Sequence, residues 1–418
     1  MRARSLNVTL AALALAALTA ATAHAQHVPL PVDLMGSQDG TAYKIRVPEN
    51  WNGTLLVFAH GTQLGTPVAE AAPTAWPEAA PSLEDQLLQL GYAVAGSGFS
   101  SDKDGLQSTL ALTNFFNGAV GNPRRVIVWG NSLGARIALK LVEKYPGIYQ
   151  GAIANCSPGA GSPENMDAGL AVSLAYAAAF GWQDEKWGPV GNLRDDLNFS
   201  RDVYPFLAWP STPSVKNRWE FVRLVMQLPP QAFWRPDPQL GMPFWLLQVW
   251  KGIAQRAAAE VRNGGPVAEN VAIQYSLKPE DQIYLASLGV DADSLLAYMN
   301  ARTNITADIA ARNHAAHWGA FSGSIQRPVL TLHSVFDGLM PVANESYYRG
   351  LVEAAGSGEK LVQAYVGTIG HCSFSADQYK AMVAAMASWL ETGRRPDASL
   401  LPPALGFDLA YVPPAWPF

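Results

Sequence analysis

Short apolar runs and amphipathic stretches alternate over two parts of the chain. Thr54-Leu55-Leu56-Val57-Phe58-Ala59 is almost wholly apolar, as suits a strand buried on both faces. A short strand pattern, 41–48, precedes it. Residues 83–90 carry apolar side chains at helical spacing and stop at Gly91. Further strands are predicted over 92–95, 126–129 and 150–155. Helices are predicted over 106–116 and from Ser132 to Tyr145, where Pro146-Gly147 stops the pattern. After a long interval the alternation returns, with strands over 328–333 and 360–365 and helices over 344–355 and 376–390. This rhythm predicts an α/β fold with a mostly parallel sheet flanked by helices.

The interval itself, residues 159–324, has no strand rhythm. It reads as short helices separated by breaks such as Leu228-Pro229-Pro230 and Arg235-Pro236-Asp237-Pro238. It also holds eight of the thirteen tryptophans. We read it as a mainly helical cap inserted between two halves of the core, 26–158 and 325–418. Tryptophans pack cores as readily as they line sites, so only two or three of the eight are expected at a pocket. The Pro-rich tail after Arg395 is expected to pack on the surface.

The N-terminus has another character. Arg2 and Arg4 precede the apolar run 10–18, and Ala23-His24-Ala25 stands before Gln26. This is the pattern of a secretory signal peptide over 1–25, so the mature protein is expected to be secreted or periplasmic. No second long apolar segment occurs, so no stable membrane insertion is expected. The formal net charge of -5, without any basic run, argues against a nucleic-acid partner. In an oxidising compartment the two cysteines, Cys156 and Cys372, are expected to pair. So long an enclosed loop allows roughly 4–5 kcal/mol of chain-entropy stabilisation.

Chemistry enters at Val126-Ile127-Val128-Trp129-Gly130-Asn131-Ser132-Leu133-Gly134. A strand runs into a Gly-x-Ser-x-Gly turn and a helix leaves it. Glycines at the flanks let strand and helix approach closely, and the Leu133 N–H at the helix start can face a developing oxyanion. Reactive groups in such sheets gather at the carboxyl ends of strands. His60-Gly61-Thr62, Ser132, Asp337 and His371 all follow predicted strands.

The order serine, acid, histidine resembles the α/β-hydrolase superfamily. Gly130 to Gly134 matches its nucleophile elbow, Asp337 its acid after the penultimate strand, and His371 its histidine after the last. The resemblance implies that Ser132 attacks an acyl carbon, His371 shuttles the proton and Asp337 orients His371. It further implies an oxyanion hole from the N–H groups of Leu133 and Thr62, with Gln63 equally near in sequence. The expected activity is hydrolysis of carboxylic esters, apolar or aromatic, with no cofactor and no metal. Peptide or amide cleavage on the same triad is the first alternative, with Asp184, Glu185, Asp195 and Asp196 of the cap as acids for a substrate amine. A catalytically silent binding protein is the second.

Other readings of these residues compete. Ser132 is also a plausible helix N-cap and Asp337 a plausible turn residue, with Asp102 and Asp104 as reserve acids. His60 is read as structural, and His333 as a core residue. His314 and His317 share helical spacing without a supporting metal motif.

Overall fold

The computed structural model describes residues 28–63, 65–271 and 273–417. The expected signal peptide, 1–25, lies outside them. One sheet contains β1 (Val32–Gln38), β2 (Thr41–Val47), β3 (Thr54–Ala59), β4 (Ala93–Ser97), β5 (Arg125–Asn131), β6 (Gly151–Asn155), β7 (Val329–Phe336), β8 (Leu361–Ile369) and β9 (Phe407–Asp408). Their spatial order is β1-β2-β4-β3-β5-β6-β7-β8-β9. Strands β3 to β8 are mutually parallel, whereas β1, β2 and β9 run antiparallel to their neighbours.

The apolar runs behave as a sheet covered on both faces requires. Along β3, Leu55 and Val57 face one core while Leu56 and Phe58 face the other. Along β5, Val126 and Val128 divide from Ile127 and Trp129 in the same way. Helices α1 (Leu83–Gln89), α2 (Asp102–Ala119) and α3 (Leu133–Lys144) connect the early strands. Two late helices, α13 (Ala343–Ala354) and α14 (Ala376–Thr392), connect and follow β7 and β8.

Three elements differ from the sequence reading. Helix α2 begins four residues earlier than expected, because the Ser101 side chain caps it by accepting from the Asp104 N–H ahead of the first apolar position. Strand β1 escapes the sequence reading because only Val32 of it is buried and Gly36, Ser37 and Gln38 fill its second half. The signal for it was the Asp39-Gly40 pair, both at positive φ, which turns β1 into β2. In the tail, β9 is only two residues long and pairs with Tyr365 and Val366 of β8.

Between β6 and β7 the chain forms α4 (Ser162–Phe180), α5 (Asp184–Trp187), α6 (Pro213–Val225), α7 (Pro230–Phe233), α8 (Phe244–Trp250), α9 (Arg256–Asn263), α10 (Pro279–Ser287), α11 (Ala292–Asn300) and α12 (Ile309–Gly319). This segment has a hydrophobic core of its own, built on Trp187, Trp219, Phe221 and Trp245. Helix α4 is apolar almost all round and is buried accordingly. Arg312 of α12 clasps Asp167 of α4 with two hydrogen bonds of 2.9 Å. Among the described residues no helix is long and apolar enough to cross a membrane.

One of the tightest points lies where α3 starts. A Cβ on Gly134 would overlap the carbonyl oxygen of Ala59, and one on Gly130 would overlap the Gly134 carbonyl. Gly134→Ala is therefore expected to lower the unfolding free energy by about 3 kcal/mol, read by denaturant titration. Gly147→Ala, with nothing within 4 Å of the added carbon, serves as the control and should stay near wild type.

Candidate active site

Strand β5 lies in the middle of the sheet between β3 and β6, so its carboxyl end is buried among neighbours. The Gly130 and Gly134 contacts force a sharp reversal there. Ser132 takes φ 55° and ψ −118°, a conformation that costs an L-residue on the order of 1–3 kcal/mol. Its backbone N–H donates to Asn155 O at 3.0 Å. Its side chain makes no cap hydrogen bond to α3, so the simple N-cap reading of this serine does not hold. Instead Ser132 Oγ lies 2.8 Å from His371 Nε2.

On its other side, His371 Nδ1 lies 2.7 Å from Asp337 Oδ2. Asp337 follows β7, whose register against β8 shifts between Ser334 and Phe336. Such an irregularity re-aims the chain at a strand end. The other oxygen, Asp337 Oδ1, accepts from the N–H groups of Leu339 at 2.8 Å and Met340 at 2.9 Å. Since the carboxylate accepts throughout, Nδ1 is assigned the proton. Nε2 is then an acceptor in the neutral ring and the serine hydroxyl donates to it. A hydroxyl so placed, beside a base held by a buried acid, can act as an activated nucleophile.

The loop carrying His371 is tied down from three directions. Cys372 forms a disulfide with Cys156, which follows β6. Tyr379 of α14 donates its hydroxyl proton to Cys372 O at 3.2 Å and accepts from Asn131 Nδ2 at 2.8 Å, linking this loop to the serine turn. From the inserted segment, Asp237 Oδ2 accepts the His371 N–H at 2.8 Å. Its Oδ1 accepts from the N–H groups of Gln239 and Leu240, and Gln239 Nε2 donates to Cys372 O at 3.1 Å. Asp237 is buried.

Sequence reasoning missed Asp237, Tyr379 and Glu345. The Pro236-Asp237-Pro238 spelling signals a local turn, but nothing in it points 134 positions along the chain. Glu345, on α13, accepts from Thr331 Oγ1 at 2.6 Å and Gln363 Nε2 at 2.7 Å, and lies 3.1 Å from His333 Nδ1. His333 Nε2 lies 2.9 Å from Met340 O and 3.7 Å from Asp337 Oδ2. Burial works against the charged His333 ring, but the Glu345 hydrogen bond and the Glu345 and Asp337 charges outweigh it and raise its pKa. His333 is thus a buried ring braced behind the Asp337 loop.

The remaining candidates fall as follows. Leu133 is the first residue of α3, and Thr62 and Gln63 line the cleft beside Ser132. Gly61 sits beside the serine, where a Cβ would lie in ordinary contact 3.6 Å from Ser132 Cβ. The Gln63 side chain is engaged elsewhere, donating to Glu70 Oε1 at 2.6 Å and accepting from the Val68 N–H. His60 accepts the Phe99 N–H at Nε2 and faces Gly61 O at Nδ1, and burial lowers its pKa. Asp102 is not a spare acid, since it is held by Arg136 at 2.6 and 2.9 Å. Asp104 accepts from the hydroxyls of Ser100 and Ser101. His314 meets Asn263 Oδ1 and Trp318 Nε1, one at each ring nitrogen. Trp250 and Trp318 line the cleft, whereas Trp187, Trp219 and Trp245 are core. Asp184, Glu185, Asp195 and Asp196 are exposed and line neither cavity at Ser132, which corrects their assignment as amine-binding acids.

A central strand ending in the serine turn, an acid loop after β7 and a histidine loop after β8, with helices inserted after β6, make up the α/β-hydrolase fold. No family model matches the chain. The chain is 24% identical over 417 residues to o-phthalyl amidase of Xanthobacter agilis, covering 89% of this chain and 90% of that protein. Among solved structures it is similar to feruloyl esterase B from Aspergillus oryzae, at 14% identity and a TM-score of 0.42 over 87% of this chain and 81% of that one. It is also similar to an acylaminoacyl peptidase from Pyrococcus horikoshii, at 11% identity and a TM-score of 0.41 over 89% and 44%.

Two substitutions test the tethers. Asp237→Ala leaves three backbone N–H groups without their acceptor, so turnover is expected to fall about 10- to 100-fold, through kcat more than KM, as His371 drifts. The Cys156→Ala/Cys372→Ala double variant opens a loop spanning 216 positions and should lose about 2–5 kcal/mol of stability in thermal or denaturant melts.

Proposed function

We propose that this chain is an exported serine hydrolase in which Ser132, His371 and Asp337 form the catalytic triad. The observation that carries the reading is the unbroken hydrogen-bond chain from Asp337 through His371 to a serine oxygen not used as a helix cap. Ser132 Oγ bonds to the acyl carbon as its proton passes to His371 Nε2. The bond to the leaving oxygen or nitrogen then breaks, and that atom takes the proton from His371. Water repeats the sequence, giving a proton to His371 and its oxygen to the acyl carbon, and Ser132 regains its proton. The N–H groups of Leu133 and Thr62 are assigned to the oxyanion. The chemistry calls on no cofactor and no metal. Export is supported by the disulfide, a bond of oxidising compartments.

Carboxylic esters are the first substrates assigned. Amide cleavage by the same groups is a specific second reading, because the relative from Xanthobacter agilis is an amidase. Aminopeptidase action loses its support with the exposed positions of Asp184, Glu185, Asp195 and Asp196. A small-molecule acyl donor is thus the assigned partner in either reading.

Matched chromogenic esters and anilides test both readings on wild type and Ser132→Ala. Hydrolysis is expected to fall by at least about 10³-fold in Ser132→Ala, and a fluorophosphonate should label wild type alone. Asp337→Asn should lower kcat by roughly 10³–10⁴-fold, since the amide imposes the wrong tautomer on His371. Wild type and Ser132→Ala with equal rates and equal labelling would sink the assignment.

A further inference from the structure

Two cavities meet at Ser132, and Thr62, Gln63, Trp250, Gln255 and Met340 line both. The smaller, about 260 Å³, includes His371 and Glu70. The larger, about 690 Å³, does not include His371. Its walls are different in kind, with the buried Lys251, the half-buried Arg136 and the exposed Arg262 and Lys103 against the carboxylates of Asp102 and Asp104.

Lys251 is the unusual member. It is 2% exposed, and its Nζ has no hydrogen-bond partner. A buried ammonium without a partner is costly, and buried polar groups normally have one. The carboxylates that line this cavity are engaged elsewhere, Asp104 by the hydroxyls of Ser100 and Ser101. Asp102 is committed to Arg136. Asp337 already accepts from Leu339, Met340 and His371. Burial pushes the Lys251 pKa down to about 8, and the Asp337 charge offsets this only in part.

The position of Lys251 is also built. A π-helical turn, Lys251–Gln255, interrupts the helix between α8 and α9. Such turns are frequent at functional sites. The turn is clamped to α4, because a Cβ on Gly252 would lie 3.0 Å from Gly169 O, and Ser173 Oγ donates to Gly252 O at 2.9 Å. The backbone next to Lys251 is therefore held by packing, and the residue forms part of the wall of the larger cavity with its Nζ buried just beneath the surface.

The proton traffic says which half of a substrate goes where. His371 must reach the leaving atom, so the leaving group lies in the smaller cavity that His371 lines. The acyl group is left to the larger one. Glu70, in the smaller cavity, repels an anion from that side when ionised, although burial raises its pKa.

Resting on the serine-hydrolase reading above, we propose that the larger cavity is the acyl site and that Lys251 binds an anionic group on the acyl chain. The substrate class is then a monoacyl derivative of a dicarboxylic acid, a half-ester or half-amide, cleaved at the end remote from its free carboxylate. This adds a charged terminus to the apolar or aromatic esters expected from the sequence.

The test compares 4-nitrophenyl hemiadipate, 4-nitrophenyl hexanoate and 4-nitrophenyl 6-aminohexanoate, which share a chain length and differ in terminal charge. Wild type is expected to favour the hemiadipate over the hexanoate by about 10- to 100-fold in kcat/KM, mainly through KM, and to disfavour the amino ester. In Lys251→Met that ratio should collapse towards one, and Lys251→Arg should retain most of it. An anion-to-neutral ratio near one in wild type, or an unchanged ratio in Lys251→Met, overturns the inference while leaving Ser132 as nucleophile. Should wild type resist a fluorophosphonate and hydrolyse none of the esters, the serine reading fails, and calorimetry decides the anion site separately. Monoethyl adipate binding to wild type but not to Lys251→Met supports it, and equal or absent binding to both overturns it.

Discussion

Helix α3 begins in contact with the end of β3, and no side chain fits between them. The Ala59 carbonyl occupies the space that a Cβ on Gly134 would need, and the Gly134 carbonyl does the same at Gly130. Because strand and helix are that close, the chain between them must reverse within a residue, and Ser132 takes the strained conformation that results. The strain is sustained by the packing of a central strand and a buried helix on either side. Its consequence is that the serine side chain projects above the sheet and is not folded back onto its own helix. The loop after β3 closes on the same point through Gly61.

The Ser132–His371 hydrogen bond holds its geometry only if both residues are fixed, and His371 sits on a loop. Loops are mobile unless their backbone groups are engaged. Here a core disulfide, a tyrosine from the last helix and an aspartate from the inserted segment each hold a different atom of residues 371 and 372. The acid is braced similarly, with two N–H groups on one oxygen and the His333–Glu345 pair behind it. A half-satisfied buried network would be worse than an apolar core, so the completeness of these bonds matters more than their number.

The inserted segment does more than cover the cleft. It has its own aromatic core, so its helices can be rigid without borrowing apolar surface from the sheet. Two of its polar residues lie at the site, Asp237 bonded to the histidine loop and Lys251 in the wall of the cavity at Ser132. The hydrogen-bonded Ser132, His371 and Asp337 belong to the sheet and its loops, and the insertion adds Trp250, Lys251 and Gln255 to the walls of the adjoining cavity.

Much of the sheet was legible in the sequence because strands buried on both faces must be continuously apolar, as at 54–59, and because glycines, prolines and caps punctuate them. The elbow was legible for a related reason, since its glycines are demanded by local backbone geometry. Strand β1 and the start of α2 escaped because their signals were a turn pair and a cap, not an apolar run. The amino-acid sequence therefore determined the elements, their alternation and the residue types able to do the chemistry, all set by interactions among near neighbours. Only the tertiary structure decided that Ser132, Asp337 and His371 meet, that Asp237 and Tyr379 hold the histidine loop, and that Lys251 is buried without a partner. Those facts depend on contacts between positions tens to hundreds of residues apart, which no periodicity records.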